Sequence, residues 1–296
     1  MAEFKQFEVT NGKGFDLKKM KPDMEIPKES KEKISEQTKK NLDEIAALQD
    51  KLYADGKEGL IIILQAMDAA GKDSTVKHVM SSVNPQGIDV FSFKQPSATE
   101  LAHDFLWRIG KCIPERGKIS LFNRSYYEDV LVVKVHEINK TYKMPKRCTS
   151  EPDDVFFGQR YEDIRNFEEY LYRQGYRIVK IFLNVSKDEQ KKRFLERIDK
   201  KEKNWKFSSA DITERKLWDK YQKAYQDAIE ATATEHCPWY VVPADQKWYT
   251  RLIVSEVLLD VLQKIAPEYP TLTPEAMKDL ESCKAALEGG KTNKAK

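Results

Sequence analysis

A chain of 296 residues with 40% hydrophobic and 33% charged positions carries enough apolar material for one sizeable core at the upper end of single-domain length. A formal net charge of +3 excludes a polycation that binds nucleic acid over its whole surface, so affinity for any anionic polymer must come from local clusters. No apolar run approaches the roughly 20 residues that span a bilayer, and the start MAEFKQFEVT lacks the apolar centre of a signal peptide. Cys112, Cys148, Cys237 and Cys283 have no C-x-x-C spacing, which argues against a zinc site or a disulfide framework and for a reduced, cytoplasmic setting.

In chain order, residues 1 to 28 are polar, contain Pro22 and Pro27 and show little periodicity, as in an extended arm. Lys28 to Tyr53 places Ile34, Leu42, Ile45, Ala46 and Leu48 on one face of a predicted helix among solvated charges. A first strand runs through the apolar residues Leu60 to Leu64 and is followed by a loop and a helix carrying Val76, Val79 and Met80. Asn84 to Gly87 is a turn, Ile88 to Phe93 a second strand, Thr99 to Gly110 a helix, Ile113 to Gly117 a turn and Ile119 to Phe122 a third strand.

A helix over Asp163 to Gln174 stops at Gly175, a fourth strand spans Tyr176 to Asn184, and a fifth spans Trp239 to Val242. Between the last two, the charged segment from about 188 to 235 is helical in pattern and interrupted near Asn204 to Asp211, the place for a lid. Arg251 to Ile265 is an apolar helix, and from Pro267 the chain becomes a lysine-rich tail. Alternation of strands and helices gives an α/β fold with a parallel five-stranded sheet flanked by helices and a helical lid. The organisation expected is an arm and helix over 1–56, a core over 57–265 and a tail over 266–296.

The segment GLIIILQAMDAAGKDSTVK, residues 59–77, has the order strand, tight loop, helix that a phosphate-binding loop requires. It departs from G-x-x-x-x-G-K-[ST] at Ala66, in the first glycine's place, and at Asp73, in the hydroxyl's. Backbone amides and side chains of Ala69, Ala70, Gly71, Asp73, Ser74 and Thr75 are the candidate phosphate cradle, with Lys72 reaching the terminal phosphates. In a parallel sheet ligands collect beyond the carboxyl ends of strands, and three such ends are chemically loaded. They carry Asp68 and Lys72, then Lys94, then Asn123-Arg124-Ser125-Tyr126-Tyr127-Glu128-Asp129.

The stretches Asp68 to Lys72, Phe122 to Glu128, Trp205 to Ser208 and Pro238 to Asp245, in that order, resemble the polyphosphate kinase 2 family. The likeness extends from about residue 57 to 262, with further matches at Lys77 to Met80, Phe93-Lys94 and His103 to Arg108. The resemblance implies a phosphate-loop (P-loop) kinase core with a helical lid and reversible phosphoryl transfer between inorganic polyphosphate and a nucleotide. It also implies magnesium, or manganese in its place, and a homo-oligomer, a dimer or tetramer. Many members carry aspartate at the position of Asn123 and asparagine at that of Glu128. The Asn-Arg-Ser-Tyr-Tyr-Glu form is similar to class III, which implies AMP and ADP as acceptors giving ADP and ATP, with guanine nucleotides as further acceptors.

Phosphoryl transfer is mainly alignment plus cations around a loose transition state. The acceptor is an already ionised phosphate oxygen, so Asp68 is expected first as a magnesium ligand or orienter and second as a base. Lys72 and Arg124 are expected to hold the transferring phosphate, and Lys77, Lys94 and Arg108 to extend a cationic groove. Arg193, Arg197, Lys206 and Arg215 are expected to close over it from the lid. Asn123, Tyr127 and Glu128 are assigned to the nucleotide, and Asp68 and Glu128 to the metal, because a neutral amide at 123 is a weaker magnesium ligand than a carboxylate. Trp107, Trp218, Trp239 and Trp248 are expected in packing and His103 in a structural or phosphate contact. Two other readings are an ATP-dependent nucleoside or nucleotide kinase of the thymidylate kinase type, and a nucleotide- or polyphosphate-binding regulator without turnover. A nucleic-acid partner is not expected, because the basic residues are not interleaved with an aromatic platform.

Overall fold

The computed structural model describes residues 3–289. Its sheet has six strands: β1 (Glu8–Val9), β2 (Gly59–Ala66), β3 (Ile88–Ser92), β4 (Ile119–Asn123), β5 (Tyr176–Asn184) and β6 (Trp239–Pro243). Their order is β1-β6-β5-β2-β4-β3. The five expected strands are all parallel, whereas β1 joins the edge antiparallel through Glu8↔Tyr240 and Val9↔Trp239, so the sheet is mixed rather than all-parallel. This corrects the reading of residues 1 to 28 as a plain extended arm. Phe4, Phe7, Val9 and Leu17 are buried, and the Pro22 carbonyl accepts the amides of Ala244 and Asp245 at 3.1 Å each. The arm is too short and too broken by 3-10 turns to show a strand period, yet its few apolar side chains close the core.

β2 is buried along its whole length, and its run of isoleucine and leucine is what a strand covered on both faces needs. The principal helices are α1 (Lys31–Asp55), α2 (Lys72–Val79), α3 (Asp153–Arg173), α4 (Lys187–Asp199), α5 (Ser209–Lys216), α6 (Trp218–Thr232), α7 (Lys247–Ile265) and α8 (Pro274–Gly289). Alternation along β5 assigns the faces. Ile181 shares a small apolar cavity with Thr75, Val76, Val254 and Leu258 from α2 and α7. Its neighbours Lys180 and Phe182 point the other way, to Glu168 of α3 and to Tyr225 of α6. α1 packs against α7.

One expected helix differs. Thr99 to Gly110 is split into short turns at Ala98–Leu101 and Trp107–Gly110, because Asp104 accepts the Leu106 amide on its carboxylate and the Trp107 amide on its carbonyl, ending one turn and starting the next. The expected tail holds α8; its last residues, 290–296, lie outside the described ones. Within the expected lid, α6 is fixed rather than mobile in character: Ala224, Tyr225, Ala228, Ile229 and Thr232 are buried in the core.

Between α3, β5 and α6 lies a fully buried polar group. Lys180 Nζ is 2.5 Å from Glu168 Oε2 and donates to the Thr232 carbonyl at 2.8 Å, while the Tyr126 and Tyr127 hydroxyls donate to Glu168 Oε1 at 2.8 Å each. Trp239 Nε1 donates to Thr232 Oγ1 at 2.9 Å. Charges out of water are tolerable only when paired and hydrogen-bonded, and this pair is. Glu168→Ala, which strands the Lys180 ammonium, is expected to cost about 3–5 kcal/mol in urea unfolding. A Glu168→Leu/Lys180→Met double variant should cost clearly less than Glu168→Ala; an equal loss would show that the charges are not the reason.

Candidate active site

Register sets the carboxyl ends of β2, β4 and β3 side by side, since Leu64 pairs with Asn123 and Ser92 with Asn123. The chain builds outward from β2 in both directions, which leaves a crevice beyond its carboxyl end. The loop from Met67 to Gly71 turns there, with Ala69 at φ +60° and Gly71 at φ +109°. Gly71 is the cap of α2, and the Thr75 amide is bonded back to its carbonyl at 3.0 Å. The amides of Lys72, Asp73 and Ser74 precede that bond, so as first-turn groups they have no intrahelical acceptor and suit an anion.

Arg124 also sits at positive φ, +65°, with its amide tied to the Leu64 carbonyl at 3.0 Å. That conformation turns its guanidinium over the loop, where Nη2 lies 3.6 Å from Asp68 Oδ1 and Nη1 lies 4.0 Å from Glu128 Oε2. Burial lowers the Arg124 guanidinium, and Glu128 and Asp68 more than offset it, so the net shift is upward. Glu128 is pushed up by burial, with Arg124 and Lys72 opposing. The Gln65 amide, oriented to satisfy its neighbours, donates to Glu128 Oε1 at 3.0 Å and accepts from Ser125.

Lys72 Nζ donates to the Ala66 carbonyl at 2.8 Å, and burial, then the Arg124 cation, push its ammonium below the ordinary lysine value. The negative charge of an arriving phosphate would oppose both effects. The cluster therefore holds two cations and two carboxylates at separations too long for tight pairing.

The other expected residues are distributed unevenly. Ala69 and Ala70 give their carbonyls to Arg193, and the Ser74 hydroxyl donates to the Gly71 carbonyl at 3.0 Å. Asn123 Nδ2 donates to Asp73 Oδ1 at 2.9 Å, and Lys206 lies 3.9 Å from Asp73. Lys94 and Arg108 meet beside the end of β3, the Arg108 guanidinium donating to the Lys94 carbonyl at 2.9 Å, while Lys77 is exposed on α2. Arg197 pairs with Asp211 at 3.4 Å, and Arg215 donates to the Lys187 carbonyl and to Gln190 Oε1 at 2.7 Å each.

Three assignments are corrected. Arg193 is buried, and its five N–H donors go to Glu189 Oε1 and to the carbonyls of Ala69, Ala70, Ala244 and Asp245, so it clamps the loop from behind instead of closing over a ligand. Tyr127 has no exposed surface; its hydroxyl belongs to the Glu168 group and its ring meets Trp239 edge-on at 4.7 Å. Thr75 is buried in the apolar layer under the loop. In all three the sequence shows the residue type, and only the packing shows which way the side chain goes.

A cleft of about 410 Å³ opens beside Asp68, Arg124 and Glu128. Its far wall holds Leu131, Val132, His136, Tyr221 and Tyr225, and its roof Asp211, Glu214 and Arg215 from α5. His136 Nε2 is 3.0 Å from Glu214 Oε2, which also accepts the Tyr221 hydroxyl at 2.7 Å. Burial, then the proximity of Asp68, pushes the Asp211 carboxyl up. None of His136, Asp211, Glu214 or Tyr221 is marked by a motif, and only Asp211 falls within the break near Asn204 to Asp211. Asp129, next to Glu128, is turned away and held by Tyr142 at 2.6 Å and Arg160 at 3.0 Å. Trp107 is half-buried and stacks on His103 at 3.9 Å, Trp218 and Trp239 are buried, and Trp248 packs on the core.

Comparison with known proteins gives a consistent picture. The sequence model of the family described as Polyphosphate kinase 2 (PPK2) matches residues 28–270. An ADP-polyphosphate phosphotransferase of Rhodopseudomonas palustris is 49% identical over 277 residues, covering 93% of this chain and 95% of the relative. An AMP/ADP-polyphosphate phosphotransferase of Meiothermus ruber is 42% identical over 267 residues, covering 90% of this chain and 95% of the relative. The crystal structure of polyphosphate kinase 2 from Arthrobacter aurescens is 39% identical and superposes with a TM-score of 0.82, covering 93% of this chain and 95% of that one.

Arg193→Lys keeps the charge but not the planar fork, and should leave loop carbonyls unpaired at a cost of about 2–3 kcal/mol. Hydrogen exchange over residues 66–71 should speed up well beyond that of β5; unchanged exchange in the loop would remove the clamp.

Proposed function

This chain belongs to the polyphosphate kinase 2 family, and from that premise we propose that it transfers phosphoryl groups from inorganic polyphosphate to AMP and ADP, giving ADP and ATP, in the crevice above β2. The observation that carries the siting is the convergence of Asp68, Lys72, Arg124 and Glu128 beside the uncapped first turn of α2. An anion arriving there meets two cations and three free amides, and its charge relieves the strain on Lys72.

In the reaction a terminal oxygen of AMP or ADP attacks the end phosphorus of polyphosphate, a new P–O bond forms, and the old bridging bond breaks with its electrons leaving on the shortened chain. Arg124 spans both partners: it faces the loop through Asp68 and the cleft through Glu128. It therefore gathers charge on the peripheral oxygens as the bond breaks. Lys72 keeps one proton on the Ala66 carbonyl and turns the others to the transferring phosphate. Gln65 holds Glu128 so that its second oxygen stays toward the cleft. The attacking oxygen is ionised near neutral pH, so the site needs no strong base, consistent with Asp68 as an orienter.

The donor set suits magnesium, which takes one or two carboxylates and completes its shell with water and phosphate oxygens. Asp68 and Glu128 would hold it, since Asp68 is only loosely paired at 3.6 Å and is 32% exposed. When bound, the ion would neutralise phosphate charge. Asn123 is engaged by Asp73 through its nitrogen and is the weaker candidate. The apolar wall of the cleft, with Leu131, Val132 and Tyr221, suits a nucleobase, and the 3-10 turn Lys201–Lys206 and α5 form the lid that excludes water.

With long polyphosphate, magnesium and ADP, ATP should form, and Lys72→Ala or Arg124→Ala should each lower kcat/KM by roughly 10²-fold or more. ATP supplied as sole donor to a nucleoside, with polyphosphate inert, would instead mark a thymidylate-type kinase, and tight binding without product a regulator. Glu128→Asn should shift the ratio of AMP to ADP use more than it changes donor use; equal losses with both acceptors would remove its acceptor role.

A further inference from the structure

Helix α8 presents an apolar stripe that no described part of the chain covers. Every side chain from Met277 to Glu288 is exposed, with Met277 at 54%, Leu280 at 56% and Leu287 at 78%. Its start is nonetheless built: Thr273 Oγ1 accepts the Ala276 amide at 3.2 Å, Pro274 stands in the first turn and Glu275 follows. A helix of 16 residues is marginal in water without an apolar partner.

The stripe has a coiled-coil spacing. Leu280 and Leu287 take a positions and Ala276 and Cys283 take d positions of one heptad frame, Asp279 then falling at g and Lys284 at e. We propose that α8 pairs in parallel with α8 of a second copy of this chain. The direction follows from charge. In a parallel pair each g residue faces the e residue five positions on in the partner, so Asp279 meets the second copy's lysine at 284 on both sides. In an antiparallel pair e faces e and g faces g, so neither finds an opposite charge. Among the described residues Lys284 meets Glu288 at 4.0 Å, at the outer limit of an ion pair, so its ammonium is free to turn to a partner helix. Two heptads bury little, so the association is concentration-dependent.

Parallel pairing sets Cys283 directly opposite its own copy, which gives the test. In full-length protein carrying Cys112→Ser and Cys148→Ser, copper-phenanthroline with dioxygen should take two electrons and two protons from a pair of Cys283 thiols. The product is a disulfide-linked dimer that reductant reverses. Moving the thiol to the outer face, Cys283→Ser with Lys278→Cys, should lower the initial cross-linking rate by about tenfold or more, because an outward thiol loses the millimolar effective concentration of a paired helix. Leu280→Glu/Leu287→Glu should do the same with Cys283 in place. Equal rates from positions 278 and 283, or no dimer, would overturn the proposal, and an undiminished rate in the double glutamate variant would overturn the apolar seam.

Discussion

The pairing of Lys180 with Glu168, with no water in reach, is the constraint on which the rest of the molecule depends. A buried ion pair is rarely a net gain over well-packed apolar residues, but it punishes any arrangement in which one partner is missing. Glu168 and Lys180 can be satisfied together only if α3 lies against β5, α6 brings Thr232, and the loop after β4 brings both tyrosine hydroxyls. Satisfying that group therefore fixes the loop that carries Arg124 and Glu128.

The rigidity is used at the crevice. Ala69 and Arg124 both hold left-handed backbone, a conformation that costs roughly 1–3 kcal/mol at a residue with a side chain and persists only where neighbours over-determine it. Arg193 on one side and the tyrosine anchor on the other do so. In front of them, charges remain under-paired: Arg124 at 3.6 and 4.0 Å from its carboxylates, Lys72 on a carbonyl, and Glu128 pushed toward its neutral form by burial. Such a site leaves donors and charges in reach of a bound ligand rather than spent on one another.

The region over the cleft divides by packing. α6 is a wall of the core, whereas α5 and the 3-10 turn before it bury none of their side chains. They connect to the loop through Arg215, Gln190 and the Asp68 carbonyl, a chain of hydrogen bonds at 2.7 and 2.9 Å that ties the roof of the cleft to the bend carrying Asp68.

The sequence alone determined the five parallel strands, the loop after the first of them, the loaded third strand end and the family, because these are local: an apolar run, a glycine before a lysine, and an ordered set of motifs are visible without neighbours. What it hid was direction and partnership. Arg193, Tyr127 and Thr75 have the chemistry of ligand contacts, yet each is turned inward by contacts with residues far away in the chain. The antiparallel β1 was invisible for the same reason, since two residues have no period and become a strand only when Tyr240 and Trp239 offer them an edge. Tertiary structure decided these points because hydrogen-bond donors and buried faces are shared resources, and which neighbour claims them depends on the whole packed chain.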